Sequence, residues 1–193
     1  MTTKLIYYII LSSIIFCDGG YFNGTSSGRR NLEASFTWNP FSYFPQGQTY
    51  STISYGLTNK IDFHAYYSIV NNNNNNYYGG LLYQFLDNKN IDLATAIGLR
   101  SYNNKSEKHI FFPQLLYTIK FSNKIKLGGS FVNIREINKD IQEGVTVDFF
   151  ITRKILDKSK VRLDLSVGLF SPTLWKSKYG DYHPTYSLDF TFK

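Results

Sequence analysis

From about residue 30 to its end the chain alternates apolar and polar residues with a period of two, and that repeat leaves few folds open. Successive side chains of a strand point to opposite faces, so each such run is a strand with one apolar and one polar side. In one run Ile61, Phe63, Ala65, Tyr67 and Ile69 oppose Asp62, His64, Tyr66 and Ser68; in another Val161, Leu163, Leu165, Val167 and Leu169 oppose Arg162, Asp164, Ser166, Gly168 and Phe170. About ten runs follow one another, near 29–39, 48–58, 60–70, 77–86, 91–102, 108–121, 124–134, 143–154, 160–171 and 184–192. No segment among them carries a helical period. Most match the roughly 9–11 residues of a tilted membrane strand and exceed the mean soluble strand of about 5–6. The expected fold is all-β: a single closed antiparallel up-and-down barrel of about ten strands, with eight as the alternative count.

The N-terminus precedes this pattern. Lys4 and the apolar stretch 5–16 form a secretion signal, too short to span a membrane as a helix. Residues 17–20 (Cys17, Asp18, Gly19, Gly20) place cleavage near Gly19 or just after Cys17. Cys17, the only cysteine, sits where a lipoprotein cysteine would, but the bulky Phe16 before it departs from that signal. A lone cysteine also rules out an internal disulfide. The chain therefore divides into a signal peptide at 1–19, a Gly/Ser/Asn-rich flexible lead-in at 20–28 and a barrel at 29–193. The net charge of +7 raises nucleic acid as a partner, but the basic residues are scattered over turns and form no stripe or motif, so no nucleic-acid partner is expected.

Alternation alone does not say which face is inside. A soluble barrel turns its apolar face inward; a membrane barrel turns it outward. Four features favour the second. The polar face is rich in small residues (Ala94, Ala96, Gly98, Gly128, Ser130, Ser166, Gly168), which suit a narrow interior. Connections alternate short (58–59, 87–90, 122–123, 156–159) and long (40–47, 71–76, 103–107, 136–142, 171–183), as in barrels with short periplasmic turns and longer outer loops. Aromatic residues gather at strand ends, where two membrane interfaces would lie. Trp38, Tyr77, Tyr102, Phe111 and Trp175 fall toward the long loops; Tyr55, Phe85, Phe121, Phe190 and Phe192 fall toward the short turns. Charged residues are 18% of the chain, below the roughly 25% of a globular average; this fits a transmembrane barrel and a soluble β-protein alike and does not decide between them.

The fourth feature is the end of the chain, residues 186–193, which alternates apolar residues and places an aromatic, Phe192, next to last. It resembles the terminal strand of small bacterial outer-membrane β-barrel proteins, with Lys193 as a departure because their aromatic is last. The resemblance implies an outer-membrane location, lipid as the surrounding partner and recognition of the last strand by the barrel-insertion machinery.

The inward face then carries ionisable groups of both signs: Glu33, Asp62, His64, Asp92, Arg100, Lys126, Asp148, Arg162, Asp164 and Asp189. Such groups must pair or stay hydrated. They form either an ion-paired plug or the constriction of a narrow pore, and ten strands enclose too little space for a wide porin. No nucleophile–base pattern, metal-ligand spacing or phosphate loop appears, so no catalytic residue, metal or cofactor is expected. Two other readings remain open at this level. One is a secreted soluble barrel holding a small apolar ligand. The other is an outer-membrane barrel enzyme acting at its outer rim, where Asp181 and His183 lie two residues apart.

Overall fold

The computed structural model describes residues 23–39, 48–69, 75–137, 141–171 and 183–193. The expected signal peptide, Trp175, Asp181 and much of four long loops lie outside the described residues, as does the side chain of His183. Ten strands follow in order: β1 Leu32–Asn39, β2 Gln48–Gly56, β3 Ile61–Ile69, β4 Asn76–Asp87, β5 Ile91–Tyr102, β6 Lys108–Lys120, β7 Ile125–Glu136, β8 Ile141–Asp157, β9 Val161–Ser171 and β10 His183–Phe192. Each pairs antiparallel with its neighbour in sequence. β1 closes on β10, from Leu32 opposite Phe192 to Trp38 opposite Tyr186, so the sheet has no edge.

Three of the four short turns are braced by one side chain each. Thr58 Oγ1 accepts the N–H groups of Lys60 and Ile61 at 3.1 and 2.9 Å. Asn88 Oδ1 does the same for Asn90 and Ile91 at 2.9 and 2.8 Å. Ser122 Oγ does so for Lys124 and Ile125 at 3.2 and 3.1 Å. These are the Asx and Ser/Thr turns that such residues favour. Pro113, which cannot donate to a ladder, sits where the β6–β7 register skips from Phe111 to Gln114, and the Phe112–Pro113 bond is cis.

The faces sort by polarity in the sense a membrane demands. Phe36, Ile53, Phe63, Leu99, Phe149 and Ile151 are exposed on the outside, Phe36 at 57%. Asp62, His64, Asp92, Ser166 and Thr185 are buried inside, none more than 1% exposed. A soluble barrel would show the reverse, so the apolar-ligand reading fails on the direction of the side chains. The small inward residues make room for large ones from neighbouring strands. The Tyr78 ring lies across Gly98, and the Phe150 ring lies over Gly128. A methyl group at Gly98 would run into the Tyr78 ring. Gly98→Ala is therefore expected to destabilise the folded barrel by about 1–3 kcal/mol, the usual cost of overpacking, read from the urea midpoint in vesicles.

Candidate functional site: the barrel lumen

The lumen is built in levels from the short-turn end upward. Its base is closed over half its width by a segment that does not belong to the sheet. Ahead of β1, Gly28 and Arg30 adopt positive φ angles of 81° and 68° and fold the chain back into the barrel. Gly56 permits the crossing, because a Cβ there would overlap the Gly28 carbonyl. Residues 23–27 then run across the mouth as a strap. Ser27 donates from its backbone N to Asp62 at 2.7 Å, and its hydroxyl lies 3.1 Å from that of Ser54. Ser26 donates its hydroxyl to Asp62 at 2.6 Å and its backbone N to Gln84 at 2.8 Å. Thr25 Oγ1 donates to Asp92 at 2.6 Å, and Asn23 Oδ1 accepts from Thr118 at 3.2 Å. The acceptors and donors step round the wall from β2 to β6. Residues 23–28, expected as part of a flexible lead-in, are thus bonded into the lumen: two carboxylates and a glutamine give their polar groups partners that water would otherwise supply.

The other half of the base holds charge. Arg162 reaches Glu33 at 3.4 Å and places Nε 2.8 Å from Asp164, an ion contact whose N–H lies off the hydrogen-bond line. Lys126 lines the same cavity as Glu33 and Arg162. Lys120 adds a cation on the strap side, 2.7 Å from Asp92. Above this level Asp189 accepts from Ser166 and Ser187, both at 2.6 Å, and Thr152 shares a 2.9 Å contact with Ser166.

The upper lumen is aromatic. His64 Nε2 and the Tyr78 hydroxyl are 3.0 Å apart, and Gln114 donates to that hydroxyl at 2.9 Å. Tyr66 stacks on Tyr78 with centroids 5.0 Å apart. Asp148 accepts from Ser130 at 2.7 Å. Arg100 lies over the Phe111 ring at 4.9 Å and the Tyr102 ring at 5.2 Å, a desolvated cation on aromatic faces.

All ten ionisable residues named from the sequence therefore point inward, but they form three groups rather than one. Asp62 and Asp92 bind the strap; Glu33, Lys126, Arg162 and Asp164 share the base with Asp189 above them; His64, Arg100 and Asp148 belong to the aromatic level. Among the aromatics, Trp38, Tyr77, Tyr55, Phe85, Phe121 and Phe192 are exposed on the outer face, and Phe190 is half-buried there against Phe36. Tyr102 and Phe111 are corrections. Tyr102 shares the inward parity of Asp92 and Arg100, and its ring meets His109 edge-on at 5.6 Å. Phe111 is buried inside against Tyr78 and Arg100. Both are lumen residues rather than interface residues.

The described residues line a cavity of about 50 Å³ at the base and another of about 80 Å³ in the aromatic level, with no lining residue in common. Each has room for a few waters at roughly 30 Å³ apiece. Leu82, Ala94, Ala96 and Leu116 form an apolar cluster on the inner wall, and the Phe150 ring borders the lower cavity from above the base. Among the described residues no three His, Cys, Asp or Glu side chains converge as metal ligands.

No protein-family model matches this chain, and no curated protein sequence does. Solved structures do. The chain is similar to the KdgM porin, at 10% identity and a TM-score of 0.50, over 84% of this chain and 98% of that one. It is similar to the NanC porin at 10% identity and a TM-score of 0.50, over 84% of this chain and 99% of that one. At such identity the likeness is one of fold: a closed, up-and-down antiparallel barrel.

Proposed function

We propose that this barrel resides in a bacterial outer membrane and passes only small hydrated solutes, through a lumen narrowed by its own side chains and closed at the short-turn mouth by the strap at residues 23–27. It is a channel and not an enzyme on this reading. The strap carries the proposal. It is held by hydrogen bonds from Asn23, Thr25, Ser26 and Ser27 to lumen side chains, with no large apolar residue in the segment to anchor it. Each such bond contributes only about 0.5–1.5 kcal/mol net, or about 1.5–3 to a charged group, because water competes for the same partners. An insert held that way is removable, and its removal leaves Asp62, Gln84 and Asp92 lining an enlarged polar mouth. The porin fold of KdgM and NanC is in keeping with this reading.

A second reading has its own observation. The two cavities share no lining residue, which suits a permanently closed barrel that serves only to display its outer loops. Planar-bilayer recording separates the two. In a Cys17→Ala background, Ser27→Cys with Ser54→Cys replaces two hydroxyls 3.1 Å apart, and a disulfide there pins the strap. The oxidised protein should pass no current, and the reduced protein should show small, flickering openings. Silence in both states would leave the closed barrel; equal current in both would remove the strap as the gate.

A further inference from the structure

We propose that the short-turn rim is a binding surface for the headgroups of anionic phospholipids. Each of the four short turns carries an exposed lysine: Lys60 between β2 and β3, Lys89 between β4 and β5, Lys124 between β6 and β7, and Lys158 with Lys160 between β8 and β9. Exposed Arg30, ahead of β1, completes the circuit at the seam. None of these six makes an ion pair with any described residue. The rim's own carboxylates are already matched: Asp87 lies 3.6 Å from Lys120, and Asp157 lies 2.8 Å from Lys154 and 2.6 Å from Lys193. What is left is a ring of uncompensated positive charge.

The ring lies just beyond the exposed aromatics Tyr55, Phe85, Phe121 and Phe192. Aromatic girdles mark the depth of the lipid headgroups, so the cations stand at or just below the phosphates of that leaflet. Arg153, exposed next to Ile151 on the lipid-facing side of β8, extends the same charge onto the wall. The long-loop end differs in its described residues. There Lys105 pairs with Glu107 at 3.7 Å, and the exposed cations Lys108 and Arg135 stand on strands rather than one on every turn. A cationic ring continuous with a lipid-facing belt fits anionic headgroups, each basic residue near such a surface adding attraction that falls off within a Debye length.

The inference rests on the membrane placement of the belt and not on whether the lumen conducts. Its test uses the folded protein in zwitterionic detergent, with native mass spectrometry comparing retention of phosphatidylglycerol and phosphatidylcholine of the same chain length. Phosphatidylglycerol should be retained about tenfold better at low salt, and the preference should fade in high salt. Combined replacement of Lys60, Lys89, Lys124, Lys158 and Lys160 by Gln should bring the two lipids within about twofold of each other. The Lys105→Gln/Lys108→Gln/Arg135→Gln protein should keep the preference. Equal retention of both lipids by the unmodified protein, a salt-insensitive preference, or equal loss in both variants would overturn the proposal. The salt titration needs no variant, so a misfolded one does not shield the idea. Failure of the barrel to insert into bilayers of either lipid would instead count against the apolar belt itself.

Discussion

Ile97→Arg should destabilise the barrel by about 2–4 kcal/mol in lipid vesicles, the penalty for a guanidinium on the lipid face near mid-bilayer. Ile97 stands in the middle of β5, opposite Leu81 on β4, and is 45% exposed. Its outer-face neighbours on the same strand, Thr95 and Leu99, offer no carboxylate to receive the charge. Urea unfolding of vesicle-inserted protein reads the change directly. On a soluble barrel the same substitution would place a charged group in water and cost no more than about 0.5 kcal/mol. A shift that small would sink the membrane placement, however well the strands are drawn.

Arg162→Met is the second large effect, and it tests the interior. Asp164 has a side chain only 5% exposed and holds Arg162 Nε at 2.8 Å, while Glu33 lies 3.4 Å from the other end of the guanidinium. Removing the cation strands two acids in a confined space, and breaking a buried pair from one side costs about 3–5 kcal/mol. Adding Glu33→Gln and Asp164→Asn should recover most of that loss, because an uncharged set of the same shape has no ion to desolvate. The urea midpoints of the single and triple variants decide the matter. If the triple variant is no more stable than Arg162→Met alone, the cluster is not what holds that half of the base.

Much of this architecture was legible before any coordinates. The period-two runs located all ten strands within a few residues, since a barrel sheet obliges every residue to face one way or the other. The inward set followed from the same parity, because Asp62, Asp92, Asp164 and Asp189 fall on alternating positions that their apolar neighbours define. Two kinds of residue escaped. Nearness to a strand end suggests an interface for Tyr102 and Phe111, whereas their parity relative to Arg100 and His109 places them inside. The strap escaped because nothing local distinguishes it from a linker: Asn23 to Ser27 are small and polar, and turn-forming composition is the same whether water or a carboxylate supplies the partner. Its acceptors lie far along the chain, Asp62 at 35 and 36 residues and Asp92 at 67. No window of sequence contains both ends of those bonds.

That separation has a consequence for how the molecule comes into being. The strap's partners are contributed by β2, β3, β4, β5 and β6, so no docking surface exists for it until five strands have met. Contacts of such long range form only after the loop-closure cost of the intervening chain has been met. The residues ahead of β1 are therefore among the last to find their places, and their protection from a protease marks the arrival of the finished structure rather than its beginning.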